Sequence, residues 1–311
     1  YTVAGLSFAI EAPQEAFEWL WNYGPFEARN GSAPHTPVEG EAETPFLFTL
    51  HVGDYPLPAE KKRVYVDSTS EDMPRIEMSR VGSDSAGEDD WYLEEAVNQQ
   101  APICMHLMAR ADFKEAWLKV TDQESLKFAL DNSAMLLYAF TSLWYDALEM
   151  HASVPVKDGK GYLFLGKSGT GKSTHSLQWH AAFPDAYLLN DDNPIMRIVE
   201  GTPYVFGSPW SGKTPCYKNL YAPVGGIVKI KQAPVNEARS LKLPEAYAYM
   251  LSSASGLKIV PAMMDQLYEI IARIIQMVPV LEMACLPDPD AAIVCHDAQS
   301  RSEEHTSELQ S

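Results

Sequence analysis

The residues best suited to chemistry lie in the segment 161–175, which reads Gly-Tyr-Leu-Phe-Leu-Gly-Lys-Ser-Gly-Thr-Gly-Lys-Ser-Thr-His. Its centre fits the phosphate-binding pattern GxxxxGK[ST]. Glycines let such a loop turn with its backbone N–H groups pointing inward, and these donors form a nest for phosphate oxygens at the start of a helix. Lys172 adds a mobile positive charge, and the Ser173 hydroxyl is placed to bind Mg²⁺. We expect nucleotide contacts from Gly166, Ser168, Gly169, Thr170, Gly171, Lys172, Ser173 and Thr174.

The flanking sequence supports this interpretation. Tyr162–Leu165 is a short apolar run typical of a strand, and 172–183 is a helical stretch that ends before Pro184. A strand, a glycine-rich loop and a helix in this order favour phosphate binding over a turn that binds nothing. A dinucleotide-binding fingerprint would need a third glycine at position 174, where the chain has Thr174, so the sequence favours the phosphate-binding loop over that fingerprint.

A second acidic element follows at 186–192. The run 186–190 predicts a strand, and Asp191 and Asp192 come directly after Asn190. Mg²⁺ bound to a nucleotide needs one or two carboxylates, and a further carboxylate can accept a proton from an attacking hydroxyl. Because adjacent strand residues face opposite sides, both acids can serve one site only if the strand ends at Asn190. The alternative is a polar turn before Pro194.

Together, Met150-His151, the strand, the glycine-rich loop and a strand that ends in Asp191-Asp192 resemble the HPr kinase/phosphorylase catalytic domain. That domain is related to phosphoenolpyruvate carboxykinase, and the resemblance spans roughly residues 125–300. It implies that His151 pairs with one of the two carboxylates and that one acid is the general base toward a serine hydroxyl. It also implies that the acid pair serves Mg²⁺, that ATP is the nucleotide, and that the protein is a homo-oligomer. The catalytic residues expected on this basis are Asp191, Asp192, His151 and Lys172, and the metal ligands are Ser173, Asp191 and Asp192.

A downstream loop also resembles an uncharacterised branch of HPr-kinase-like proteins. It reads Gly-Ser-Pro-Trp-Ser-Gly-Lys over 207–213 and is rich in glycine, proline and cationic residues. Beside a nucleotide, Lys213 could stabilise developing negative charge, so Lys213 and Trp210 are the expected substrate contacts. The alternative is a surface loop anchored by Trp210.

Two features depart from the HPr kinase pattern. The first 120 residues do not resemble that family's usual N-terminal domain, and its glycine-rich signature downstream of the acid pair is missing. We therefore expect Mg²⁺- and ATP-dependent phosphoryl transfer to a hydroxyl, on a protein serine or a small molecule, without expecting HPr as the substrate. Two alternatives use the same loop: a carboxykinase-type enzyme acting on a small keto acid, and a non-catalytic nucleotide sensor.

Charge is distributed unevenly along the 311 residues. The net charge of −18 arises mainly from residues 1–150, which hold 26 acidic and 10 basic residues, whereas residues 151–300 hold 13 of each. Such a chain should repel nucleic acid and anionic lipid, while its electroneutral half can build a local anion site. No signal peptide or membrane-length apolar run is recognisable. The four cysteines form no CxxC pair and predict free thiols, so we expect a cytoplasmic protein.

The predicted fold class is α/β, with an acidic β-rich N-terminal domain over 1–120 and a P-loop kinase-like domain over 121–300. Strands are expected at 45–52, 62–67, 102–108 and 116–120. Helices are expected at 124–150, opened by a capping box from Thr121 to Glu124, and at 264–278. Asp288 or Asp290 should cap a last helix. The chain starts with Tyr1, which indicates a clipped N-terminus. Residues 301–311 match the translation of a sequencing-adapter read and are excluded as an artefact.

Overall fold

The computed structural model describes residues 1–28, 37, 44–67, 74–82, 88–212 and 214–310, with side chains up to Ser302. The chain forms two compact units. The first comprises Tyr1, Leu6–Gly24 and Pro45–Thr141, and the second comprises Thr2–Gly5, Pro25–Thr44 and Ser142–Ser311. Strand β1 (Thr2–Val3) therefore belongs to the second unit, and a 3₁₀ segment spans Gln14–Phe26. The division after Thr141 lies later in the chain than the predicted boundary at 120.

The first unit is built on a mixed β-sheet. Seven of its strands lie in the order β2-β3-β8-β7-β6-β5-β4, with β2 parallel to β3, β3 parallel to β8, and the other neighbours antiparallel. The strands predicted at 45–52, 62–67 and 116–120 are confirmed, whereas the strand predicted at 102–108 begins three residues later, at Met105. The bounds are β2 (Leu6–Glu11), β3 (Phe46–Val52), β4 (Lys62–Asp67), β5 (Arg75–Val81), β6 (Asp90–Ala96), β7 (Met105–Ala109) and β8 (Glu115–Val120).

Helix α1 (Leu126–Thr141) packs on β3 and β8 and completes the core of the first unit. Phe8 stacks on Phe48 with ring centroids 5.0 Å apart, and Tyr138 of the helix meets Phe8 edge-on at 6.2 Å. All three rings are fully buried. Aromatic burial of this kind explains why the helix belongs to the first unit rather than to the second.

The predicted helix over 124–150 is wrong in its C-terminal third. After Thr141 the chain makes a 3₁₀ turn (Ser142–Tyr145), then takes a left-handed conformation at Asp146 (φ +57°), and continues as strand β9 (Ala147–Glu149). Leu148 is buried on that strand, where it pairs with Met196. A buried strand supplies apolar residues at spacings that continue a helical stripe, so periodicity alone did not reveal the change.

The predicted capping box at Thr121 is also wrong. Asp122 accepts a hydrogen bond from the Ser125 N–H at 2.8 Å, while the Thr121 hydroxyl donates to Asp122 at 3.1 Å. The short carboxylate of Asp122 therefore satisfies the free N–H group in the turn that precedes the helix.

The second unit contains a nine-stranded mixed sheet. Its order is β12-β10-β11-β15-β14-β13-β9, with β17 beside β15 and β16 beside β17. Strands β11, β15 and β17 are mutually parallel neighbours, and the remaining pairs are antiparallel. The bounds are β10 (Ala152–Lys157), β11 (Lys160–Leu165), β12 (Tyr187–Asp192), β13 (Ile195–Val199), β14 (Thr202–Phe206), β15 (Tyr221–Gln232), β16 (Glu237–Ser240) and β17 (Val280–Cys285).

Four helices accompany this sheet: α2 (Lys172–Ala182), α3 (Leu243–Ser253), α4 (Pro261–Met277) and α5 (Pro289–Gln310). The predicted helix at 264–278 is confirmed as α4, which buries Leu267, Ile270, Ile271 and Ile274 on one face. Asp288 rather than Asp290 caps α5, accepting the Ala291 N–H at 3.0 Å.

Trp179 fixes helix α2 on the sheet. Its ring is fully buried and lies 4.7 Å from Tyr162 and 5.5 Å from Phe164, both on β11. The strand before the glycine-rich loop and the helix after it are thus held by one aromatic cluster. All four cysteines are buried and free, as predicted. In the described part of the chain, no helix combines the length and the apolar character needed to cross a membrane.

Candidate functional site

The glycine-rich loop ends at the start of helix α2. Gly171 is the N-cap residue and has φ +100°, a left-handed conformation that favours glycine. The first N–H groups of a helix have no partner within it, and no side chain of the described residues caps this terminus. Such a terminus attracts an anion through its N–H groups and the helix dipole.

A cavity of about 500 Å³ opens at this terminus. It brings most of the predicted loop residues together with both acids and the histidine. Its lining consists of His151, Ser168, Gly169, Gly171, Lys172, Ser173, Thr174, Asp191, Asp192 and Gly212.

Two predicted loop residues, Gly166 and Thr170, do not line this cavity. The Gly166 carbonyl accepts a hydrogen bond from Lys172 Nζ at 3.0 Å, and the Thr170 hydroxyl donates to the Lys167 carbonyl at 2.8 Å. Both contacts lie within the loop. Gly166 and Thr170 therefore help to shape the loop that the other residues present to the cavity.

The Ser173 hydroxyl donates to Asp191 Oδ1 at 2.9 Å, so two of the predicted metal ligands are neighbours. The Asp191 carboxylate is only 3% exposed. Hydroxyl and carboxylate oxygens are the hard donors that Mg²⁺ prefers, so this donor set fits the ion. Among the described residues, no cluster of three or more His, Cys, Asp or Glu could hold a metal. Mg²⁺ would thus need the phosphate oxygens and waters as its remaining ligands.

His151 lies between a carboxylate and an ammonium. Its Nε2 atom is 3.0 Å from Asp192 Oδ1 and 2.9 Å from Lys172 Nζ. A protonated Nε2 donates to Asp192, whereas an unprotonated Nε2 accepts from Lys172. The tautomer of the ring therefore decides which of the two neighbours binds Nε2.

The backbone explains how both acids serve one cavity. Strand β12 continues through Asp192, so strict alternation would send the two side chains to opposite faces. Asp192, however, has φ +121°, outside the conformations of regular strands. This local distortion breaks the alternation, and a strand that stops at Asn190 is not required.

Lys172 is mostly buried beside this acid pair. Burial lowers its pKa from the ordinary value, and the charges of Asp192 and Asp191 act in the opposite direction. A bound phosphate would add negative charge at the same place. Such an anion would favour the charged form of the lysine.

The downstream loop is anchored against the acid pair. Trp210 is 3% exposed, which favours the anchoring role, and its carbonyl accepts a hydrogen bond from Asn190 Nδ2 at 3.1 Å. The Gly212 N–H donates to the Asp191 carbonyl, and the Ser211 hydroxyl also donates there. Lys213, the other predicted substrate contact, lies outside the described residues.

Three further residues near the candidate site were not predicted from the sequence. Gly212 abuts Asp192, Asn190 holds the downstream loop, and Glu149 is buried near the cluster. Burial raises the pKa of Glu149 to about 7, and the charge of Asp192 acts in the same direction. Gly212 stood in the loop already singled out and Asn190 preceded the acid pair, but nothing in the sequence marked Glu149.

No family model matches the chain, and no curated protein matches it. Among solved structures, the Hpr(Ser) kinase/phosphatase from Coxiella burnetii is similar at 12% sequence identity, with a TM-score of 0.30. The similarity covers 50% of this chain and 98% of the other. A likeness this weak carries no argument about activity.

Proposed function

We propose that this protein is an HPr kinase-like enzyme that transfers a phosphoryl group from ATP, with Mg²⁺, to a hydroxyl of a protein serine or a small molecule. The observation that carries the proposal is the convergence of three elements on one cavity. The helix terminus with Lys172 attracts phosphates, Ser173 and Asp191 offer metal ligands, and Asp192 with His151 offers a base.

Each group has a distinct role in this proposal. Lys172 and the first N–H groups of α2 bind the phosphates and stabilise negative charge during transfer. Ser173 and the buried Asp191 would hold Mg²⁺, which neutralises phosphate charge when bound. The Asp192 side chain is 40% exposed and so can reach an acceptor hydroxyl. Asp192 takes the proton of that hydroxyl as the hydroxyl oxygen bonds to the γ-phosphorus and ADP leaves, and His151 orients the carboxylate.

The carboxykinase alternative needs an arginine free to bind a substrate carboxylate. The three arginines between residues 151 and 300 are all engaged in structural contacts. Arg197 donates to the Ala4 and Tyr145 carbonyls, Arg239 pairs with Glu245 and Glu282, and Arg273 pairs with Asp146. Phosphoryl transfer without decarboxylation is therefore the better-supported reaction.

The test is transfer of label from γ-labelled ATP to a panel of serine peptides and small polyhydroxy compounds, with water included as an acceptor. We expect Mg²⁺-dependent transfer that falls roughly 100-fold or more in Asp192→Asn. The matched control is Asp265→Asn, which changes an exposed acid on α4. A wild-type protein that binds ATP but transfers label to none of these acceptors would support the non-catalytic sensor instead.

A further inference from the structure

A second cavity of about 290 Å³ adjoins the first. Gly171 and Thr174 line both of them, so the two cavities meet at the first turn of helix α2. Small-molecule pockets commonly measure roughly 300–1,000 Å³. The second cavity alone therefore suits part of a ligand whose remainder lies in the first.

The position of this cavity follows from the sheet. Strands β11, β15 and β17 are parallel neighbours, so their carboxyl ends lie at one edge. The phosphate loop follows β11, whereas Gln232 and Ala233 stand at the end of β15, and Leu286 and Pro287 follow β17. Ligands of open α/β sheets bind outside the carboxyl ends of the strands, which is where this cavity lies.

The two cavities differ in charge. The first contains Lys172, Asp191 and Asp192, whereas the residues lining the second include no Lys, Arg, Asp or Glu. The one ionisable ring there, His175, accepts a hydrogen bond from Trp179 Nε1 at 3.2 Å, and burial lowers its pKa to about 4. It is therefore neutral at physiological pH.

The walls of the second cavity combine aliphatic surface with a few hydrogen-bonding groups. Ile230, Ala233, Leu286 and Pro287 supply the apolar surface, and Thr174 supplies a hydroxyl. Gln232 Nε2 donates to the Gly169 carbonyl at 3.3 Å, which ties this wall to the phosphate loop. A flat heterocycle with an attached sugar is uncharged, largely apolar on its faces and polar at its edges, and matches such walls.

We propose that the second cavity binds the nucleoside part, base and ribose, of the nucleotide whose phosphates occupy the first. This assignment rests on the proposed function. It places the charged end of the ligand against the charged cavity and the neutral end against the neutral cavity, with the helix terminus between them.

The experiment compares two ligands, each with Mg²⁺: ATP, and inorganic tripolyphosphate, which has the phosphates without the nucleoside. Ala233→Phe fills the second cavity, and Leu286→Asp adds a charge to its neutral wall. The matched control is Val235→Phe, two residues further along, where the side chain is exposed and lines neither cavity. Affinities are measured by calorimetry on the full chain.

We expect the wild type to bind ATP at least tenfold more tightly than tripolyphosphate. Ala233→Phe and Leu286→Asp should lower the affinity for ATP at least tenfold and change the affinity for tripolyphosphate less than twofold. Unchanged tripolyphosphate binding would also show that the loop is intact. Equal affinity of the wild type for both ligands would overturn the inference. Variants that leave the affinity for ATP unchanged, or that lower the affinity for both ligands equally, would also overturn the inference. In these cases the phosphate site of the loop would remain without an assigned nucleoside site. If the wild type binds neither ligand, the result would contradict the proposed function as well.

Discussion

His151 Nε2 lies 3.0 Å from Asp192 Oδ1, and this contact joins residues 41 positions apart in the sequence. His151 precedes strand β10, and Asp192 ends strand β12, which pairs directly with β10. The pairing of these two strands therefore fixes the distance between the proposed base and the histidine ring. Lys172 reaches the same ring nitrogen from helix α2.

Removing the ring tests this relationship. His151→Ala should lower turnover roughly 10- to 100-fold, because the Asp192 carboxylate loses the partner that orients it. The KM for ATP should change little, since the loop still holds the phosphates. The control is His180→Ala, an exposed histidine near the other end of α2. Equal loss of turnover in both variants would show that the effect is not specific to the pair.

The two acids should fail in different ways. Asp191→Asn should make ATP binding nearly independent of Mg²⁺, because Asp191 is buried beside the Ser173 hydroxyl and is the carboxylate proposed to hold the ion. Asp192→Asn should keep Mg²⁺-dependent binding and lose turnover. Titration of ATP at several Mg²⁺ concentrations separates the two effects. A reversed pattern would exchange the roles assigned to the two carboxylates.

Gly212 should behave as a positioning residue. A Cβ atom at this position would lie 3.0 Å from Asp192 Cβ and Oδ2, so Gly212→Ala must displace the carboxylate by a few tenths of an ångström. We expect roughly tenfold lower turnover with nearly unchanged ATP affinity. Gly24→Ala is the control, because a Cβ atom there would meet no atom of the described residues within 4 Å apart from the local backbone and its chain neighbours. Unchanged turnover in Gly212→Ala would contradict a positioning role for Gly212.

The elements that local sequence determines were predictable, and those that depend on tertiary structure were not. The strand before the loop, the helix after it and the confirmed strands of the first unit follow from short-range patterns. The prediction of a helix over 124–150 is wrong in its C-terminal third because strand β9 is buried and its apolar residues continue the spacing of a helical stripe. Gly212 and Gln232 act on the site through contacts with Asp192 and Gly169 that only the folded sheet creates.

Glu149 should make stability depend on pH. Its carboxyl is 1% exposed, and among the described residues its Oε1 atom has no hydrogen-bond partner. Its pKa is about 7 in the folded protein, raised mainly by burial from the ordinary value of 4.5. The folded state therefore binds more protons than the unfolded state between pH 4.5 and 7, and the free energy of unfolding falls as pH rises through that window. The free energy of unfolding decreases by about 3 kcal/mol across this window, and the decrease is complete above pH 7.

The measurement is the free energy of unfolding in urea at pH 5 and pH 8 for the wild type and Glu149→Gln. The neutral amide cannot titrate, so the variant should lack this part of the pH dependence. Glu269→Gln, at an exposed position on α4, should keep the wild-type profile. A pH profile for Glu149→Gln that is identical to that of the wild type would show that Glu149 does not change its protonation on folding.

The central claim, that the glycine-rich loop binds the phosphates of a nucleotide with Mg²⁺, is tested most directly by calorimetric titration of ATP with and without Mg²⁺. We predict Mg²⁺-dependent binding to the wild type and to Lys231→Ala, whose lysine is exposed and lines neither cavity. Lys172→Ala should bind roughly 10- to 100-fold more weakly, because a charge-assisted contact to phosphate is lost. Equal binding by Lys172→Ala and the wild type, or no binding of ATP by the wild type, would contradict the claim.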